Sequence, residues 1–359
     1  MKVGIVGLRQ AGKTTLFRAI TRGEAPVDEY GGHANVGVVP LPDERLHWIA
    51  ECYRPKKVTP AAIEFIDGAA KIGDEQRAKF GSDFFADVRA VDALLQVVRA
   101  FTTTDGEPPT PAKDVRALTE ELILADLQIV ESRLSRLEKS LMSVRHGTIT
   151  PETIERDLLL AIKDALESGQ LVKSARLTPD QEKMIRGFDF MTAKPQIVVA
   201  NIPESEIGQP ESRPVSELRS YCQEAGLTML ALSAKVEAEV AELPEDEQRD
   251  YLEAMGLAQP ARDQLASQTL GALGLITFYT ASEPEVRAWT VPQGTHVIDA
   301  AGKVHTDMAR GFIRAEVGHF DQVKAAGGWE EAKRADAIHL QTKDYVVQDG
   351  DIIYIRFKV

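Results

Sequence analysis

Gly7-Leu8-Arg9-Gln10-Ala11-Gly12-Lys13-Thr14 lies between a short apolar run, Val3-Gly4-Ile5-Val6, and the helix-like stretch Leu16-Phe17-Arg18-Ala19-Ile20. The octet fits G-x-x-x-x-G-K-[ST], and strand, loop and helix in that order form the setting in which this spacing cradles phosphate. Loop N–H groups and the helix N-terminus converge on an anion. A nucleoside triphosphate is therefore expected on Gly7, Arg9, Gln10, Ala11, Gly12, Lys13, Thr14 and Thr15. Lys13 would reach the β- and γ-phosphates as the catalytic cation, and the Thr14 hydroxyl would hold Mg²⁺. The bland alternative is a Gly-rich turn that happens to contain Lys-Thr.

Working outward, strands and helices alternate. Ala62-Ile63-Glu64-Phe65-Ile66, residues 93–98, Gln196-Ile197-Val198-Val199-Ala200 and Thr228-Met229-Leu230-Ala231-Leu232 read as buried strands of a parallel sheet covered on both faces. Asp67 ends one of them, where a carboxylate holds Mg²⁺ through water; a structural strand-end Asp is the other reading. Asn201-Ile202-Pro203-Glu204 follows another, at the place of a guanine-reading N-K-x-D motif. Ile202 replaces the Lys, and Glu204 moves the carboxylate outward on a longer stem. That carboxylate normally accepts from two donors on guanine's edge, and adenine lacks this donor pair, so guanine readout is damaged. Ser233-Ala234-Lys235 follows the next strand and resembles an S-A-K loop that backs the base.

Between the strand groups lies a helical insertion, expected over 111–190. After Pro108-Pro109-Thr110-Pro111, apolar residues fall at Ile123, Leu127, Val130, Leu134, Leu137, Leu141 and Val144, a 4-3-4-3-4-3 seam of coiled-coil type. A break at 145–148 precedes a second helix opening at Thr150-Pro151-Glu152, with Thr as N-cap and Pro at the first helical position. An antiparallel hairpin follows, either a packed arm or a lever that engages a partner. The nucleotide domain is then 1–110 with 191–275, and 276–359 is a small separate mixed α/β domain. Its Asp349-Gly350 dipeptide marks a hairpin or tight turn.

The net charge is −13, and residues 111–275 hold 18 basic against 28 acidic side chains, which is most of the excess. Such a chain is no general nucleic-acid binder, although Arg54-Pro55-Lys56-Lys57 leaves room for a local basic patch. Two cysteines, Cys52 and Cys222, suggest neither a disulfide framework nor a metal cluster. No apolar run approaches the ~18 residues of a membrane span. A reducing cytoplasm is expected, with no membrane partner.

These motifs together resemble the YchF/Obg-like ATPases among the P-loop GTPase-like proteins. The resemblance covers nearly the whole chain. It includes Gly37-Val38-Val39-Pro40-Leu41-Pro42-Asp43, Glu64-Phe65-Ile66-Asp67, Leu124-Ala125-Asp126-Leu127, Val286-Arg287-Ala288-Trp289-Thr290, Gly302-Lys303-Val304-His305-Thr306-Asp307 and Gly311-Phe312-Ile313-Arg314. It implies an α/β fold class: a P-loop G domain with a parallel sheet, an inserted coiled-coil arm and a C-terminal β-grasp domain of TGS type. It also implies an N-x-x-E base motif at Asn201 and Glu204, a preference for ATP over GTP with Mg²⁺, and ribosomes, RNA or a protein as partner. His305 then belongs to a TGS motif, where a structural turn is the plainer reading and a contact surface with Lys303, Arg310 and Arg314 the sharper one.

The chain departs from that family at three places that bear on hydrolysis. No Thr or Ser occurs between Thr21 and Thr59, where a switch Thr closes on Mg²⁺ and γ-phosphate. The family's D-x-A-G-L-V appears as Asp67-Gly68-Ala69-Ala70-Lys71-Ile72, so Ala70 replaces a Gly and Lys71 an apolar residue. The loop over 101–114 lacks the family's His. Lys71 is either a built-in stabiliser of γ-phosphate charge or an exposed Lys in a switch loop. The expectation is a P-loop protein with slow ATP hydrolysis coupled to a regulatory role, and the alternative is a hydrolysis-deficient, nucleotide-gated binding module.

Overall fold

A computed structural model describes residues 1–25, 35–67, 82–142, 148–175 and 177–358, with the side chains of 82–84 and 245 left aside. The chain divides into two units: Met1–Val38 with Glu64–Arg262, and Val39–Ile63 with Asp263–Val359. The division differs from the one read from the sequence at two points. The helical insertion shares the first unit, and Val39–Ile63 joins the C-terminal one.

The first unit is built on a six-stranded sheet ordered Asn35–Pro40, Ala62–Asp67, Lys2–Val6, Ala93–Arg99, Gln196–Asn201 and Thr228–Leu232. Parallel registers pair Val3 with Phe65 and Ala93, Leu94 with Gln196, and Ile197 with Thr228. Ala93–Arg99 and Gln196–Asn201 are buried along their whole length, as apolar runs covered on both faces should be. Because the five strands from Ala62–Asp67 to Thr228–Leu232 in that order run parallel, the residues that follow Val6, Asp67, Asn201 and Leu232 collect at one edge. Open α/β sheets bind ligands at that carboxyl edge.

The insertion opens with the helix Pro111–Leu141 and returns through Pro151–Glu167. Thr150 caps the second helix by accepting from Thr153 N, and Thr153 bonds back to Thr150 N. The seam residues Ile123, Val130, Leu134 and Leu137 are buried against Leu158, Leu159, Ile162 and Leu166, and Leu127 is partly buried there. Val144 lies outside the described residues. This core is continuous with Val98, Val198 and Ala200 of the sheet, so the insertion has no separate core of its own. Beyond Glu167 the chain forms short turns and the helix Pro179–Ile185, not a continued arm. Buried Asp126 anchors the long helix by accepting from Met191 N at 3.0 Å, Thr192 N at 2.8 Å and Thr192 Oγ1 at 2.7 Å.

The second unit carries a sheet ordered His339–Gln341, Phe312–His319, Asp351–Phe357, Leu275–Ala281, Glu285–Pro292 and Lys57–Thr59. Leu275–Ala281 and Glu285–Pro292 form a hairpin, and the helix Val297–Val304 packs Val297 and Ala300 against Phe278, Val317 and Ile353. A mixed sheet covered by helices agrees with the α/β class expected from the sequence. Asp349-Gly350 is a tight turn, with Gly350 at φ 91°, and not a hairpin. The strand that follows it pairs with Phe312–His319 and Leu275–Ala281. The helix Glu44–Tyr53 belongs here because Arg45 reaches Asp349 at 2.7 Å and Tyr279 Oη donates to Asp43.

Candidate nucleotide site

The loop after Val6 can form only with glycine at two positions. Gly7 sits at φ 150°, and a Cβ there would stand 2.2 Å from the Val97 carbonyl oxygen. Gly12, the N-cap of the helix Lys13–Ile20, sits at φ 93°, and its Cβ would stand 2.2 Å from Asn201 Nδ2. Side chains are therefore excluded where the backbone must face a phosphate. Arg9, Gln10, Thr14 and Thr15 are exposed, and Ala11 is buried.

Lys13 Nζ donates to the Gly7 and Leu8 carbonyls, each at 3.0 Å, so the ammonium is folded back across the loop's mouth. Burial pushes its pKa below the ordinary lysine value, and the Asp67 charge opposes the shift. Thr14 Oγ1 donates to Asp67 Oδ2 at 3.0 Å, and Asn35 Nδ2 lies 3.5 Å from the same oxygen. Burial raises the Asp67 carboxyl above its usual range, while the Thr14 hydrogen bond, the Lys13 charge and Asn35 pull it back. A hydroxyl and a carboxylate side by side are hard oxygen donors of the kind Mg²⁺ takes together with phosphate oxygens. Among the described residues no group of three or more His, Cys, Asp or Glu is placed to hold a metal ion alone. Asn35 had no signal in the sequence, since only the pairing of its strand brings it to Asp67.

At the base end, Asn201 joins two loops. Its Nδ2 donates to the Ala11 carbonyl at 3.0 Å, and its Oδ1 accepts from Ala234 N at 2.9 Å. A carbonyl can only accept and a peptide N–H can only donate, so the orientation of the amide is determined. One N–H and one lone pair of the Asn201 amide stay available to a base. Ile202 packs on the core beneath, and Ser233 is buried as N-cap of the helix Ala234–Glu242. Lys235 Nζ meets Glu204 Oε2 at 2.9 Å, with both side chains largely exposed.

A cavity of about 920 Å³ runs between these two ends, from Gln10, Gly12 and Thr15 to Asn201, Glu204, Ser233 and Lys235. Phe101, Pro203 and Met255 complete its walls. Met255 comes from the chain beyond the helix Glu245–Ala254, and no local pattern marks it. Lys71, Ala70 and the segment 28–34 lie outside the described residues. His305 is not among the residues that line this cavity; it N-caps the helix Thr306–Arg310, its Nδ1 accepting from Asp307 N at 3.2 Å.

Known proteins resemble this chain along its whole length. The family model YchF-GTPase_C, described as a protein of unknown function (DUF933), matches residues 275–358. The "Ribosome-binding ATPase YchF" of Bacillus subtilis is 38% identical over 368 residues, covering 100% of both chains. "Obg-like ATPase 1" of Oryza sativa subsp. japonica is 32% identical, over 100% of this chain and 92% of that one. The solved YchF GTPase of Schizosaccharomyces pombe superposes with a TM-score of 0.87 at 27% identity, over 99% of this chain and 97% of that one.

Proposed function

This chain belongs to the YchF/Obg-like ATPase family of P-loop proteins, and on that premise we propose that it binds Mg-ATP in preference to GTP and hydrolyses it slowly in a ribosome-associated regulatory cycle in the cytoplasm. The observation that carries the reading is the 920 Å³ cavity, with the P-loop at one end and Asn201, Glu204 and Lys235 at the other. Residues 7–15 would hold the triphosphate. Lys13 would exchange its loop carbonyls for β- and γ-phosphate oxygens, since among the described residues those two carbonyls are the partners its three donors have. Thr14 and Asp67 would hold Mg²⁺, which would offset the phosphate charge there. Ile202, Ser233 and Ala234 would support the base, with Glu204 at its edge beside Lys235.

The name of the Bacillus relative supports the ribosome as partner, and the insertion and the C-terminal unit are the surfaces we assign to it. Among the described residues no helix is long and apolar enough to cross a membrane.

A second reading, a nucleotide-gated module without useful hydrolysis, is favoured by the absence of any Thr or Ser between Thr21 and Thr59 and by Ala70 in place of a glycine. Titration with fluorescent ATP and GTP analogues in Mg²⁺ buffer tests the base preference. Phosphate release measured against Lys13→Ala then separates the two readings: turnover no faster than the variant's would discard the enzyme.

A further inference from the structure

Beside the C-terminal sheet lies a second cavity, of about 440 Å³, that the nucleotide reading does not use. Its aromatic wall is Tyr53, Trp329 and Tyr354, and the Trp329 and Tyr354 rings stand 5.4 Å apart, tilted by 40°. Glu316 and Tyr354 are cross-strand partners, so both side chains leave the sheet on the same face. The Gly327-Gly328 turn forms another wall, with both residues at positive φ.

Among the described residues, two groups lining this cavity lack partners. The Tyr53 hydroxyl oxygen is buried and makes no hydrogen bond there, an unfavourable arrangement for a polar group. Burial, with Tyr354 and Glu330 close by, also holds the phenol protonated far above its ordinary range. Glu330 makes no ion pair among the described residues. Glu316, by contrast, meets Lys333 at 3.2 Å and also Arg356, and Glu331 meets Arg334 at 3.6 Å. Three carboxylates line the cavity against the single cation Lys333.

Aromatic faces, an unpaired carboxylate and an unsatisfied hydroxyl match one chemistry. We propose that the cavity receives an arginine side chain from a basic protein segment: the guanidinium lies against the Tyr354 and Trp329 rings, donates to Glu330 and gives a further N–H to the Tyr53 oxygen. A guanidinium is planar, stacks on rings and carries five donors, which an ammonium does not match. The acidic lining turns away phosphate, so a protein and not a nucleic acid is the partner. The assignment is independent of what the P-loop binds.

The test uses the full chain labelled with ¹⁵N and follows the indole signals of its three tryptophans, with Trp329→Phe identifying the relevant one. The probes are the peptides Ac-(Gly-Arg)₃-NH₂, Ac-(Gly-Lys)₃-NH₂ and Ac-(Gly-Gln)₃-NH₂. The arginine peptide is expected to shift the Trp329 signal saturably, with Kd near or below ~1 mM, and the glutamine peptide to leave it in place. Glu330→Gln should weaken the arginine peptide about fivefold and Tyr53→Phe about threefold, as lost charge-assisted and neutral hydrogen bonds would. The same ATP-analogue titration in parent and Glu330→Gln shows that the variant is folded. Equal shifts from arginine and lysine peptides, no saturable shift, an undiminished response in Glu330→Gln, or a stronger shift from a single-stranded oligonucleotide would each overturn the assignment.

Discussion

Asn201 and Ala11 are 190 positions apart in the chain and are joined by a 3.0 Å hydrogen bond from the Asn201 amide to the Ala11 carbonyl. The opposite end of the same amide holds Ala234 N, so one side chain sets the spacing between the Gly7–Gly12 loop and the Ser233-Ala234-Lys235 loop. Asn201→Ala leaves a buried carbonyl and a buried N–H without partners. It should cost about 1–3 kcal/mol of stability and at least ~10-fold in ATP-analogue affinity, read by denaturant unfolding and by fluorescence titration. If binding held while stability fell, Asn201 would be a structural strut only.

Gly7→Ala sets a methyl group 2.2 Å from a backbone oxygen that cannot move without disturbing the strand Ala93–Arg99. A loss of about 3 kcal/mol or more is expected. Gly23→Ala is the comparison: it has φ 67° and nothing within 4 Å, so only the left-handed backbone is strained, for about 1 kcal/mol. Equal melting points for the two variants would show that the close approach to Val97 is relieved in solution.

Asp67 trades stability for function. Its carboxyl is raised by burial above the unfolded value. The stability linked to this group is therefore fully present below the ordinary carboxylate range and is lost as pH rises through the raised folded value. At neutral pH Asp67→Asn should raise the melting temperature of the nucleotide-free protein, by on the order of 1 kcal/mol in stability. The gain should vanish toward pH 4, while Mg²⁺-dependent nucleotide affinity falls. A variant less stable than the parent at pH 7 would mean that the Thr14 and Lys13 contacts outweigh desolvation.

The exposed Glu204–Lys235 pair should contribute little to folding, because solvent screens it. Its effect belongs to base choice. The double substitution Ile202→Lys and Glu204→Asp restores the shorter carboxylate that accepts from guanine, and should move the GTP-to-ATP affinity ratio up by ~10-fold, with a lower melting point because Ile202 gives up its packing on the core. An unaltered ratio would assign base selection to the other walls of the cavity, Phe101 and Met255 among them.

In the helical insertion, packing should outweigh charge. Ile162→Ala opens a hole in a buried seam, at about 2–5 kcal/mol. Arg133→Ala removes a two-pronged contact to Glu155, at 2.7 and 2.8 Å, from a partly exposed site, for about 1 kcal/mol or less. Thermal unfolding of the two variants checks the order.

Local chemistry was legible in the residues themselves. The P-loop spacing, the Thr150-Pro151 helix start and the seam from Ile123 to Leu137 are short-range patterns, because backbone dihedrals, capping and helical periodicity act over a few residues. The strand ends at Asp67, Asn201 and Leu232 were legible for the same reason. Contacts made by long-range pairing left no such mark. Asn35 reaches Asp67, Met255 lines the cavity beside Asn201, and the helix Glu44–Tyr53 docks with the C-terminal sheet through Arg45 and Asp349. Each joins residues far apart in the chain. The sequence by itself determined that this protein carries the G-x-x-x-x-G-K-[ST] spacing at Gly7–Thr14 and has Ile202 and Glu204 where N-K-x-D has Lys and Asp, since those statements concern which atoms are present. Only the tertiary structure decided that Asn201 ties that loop to Ala234 and that the insertion shares its core with the sheet, since both depend on which strands lie side by side.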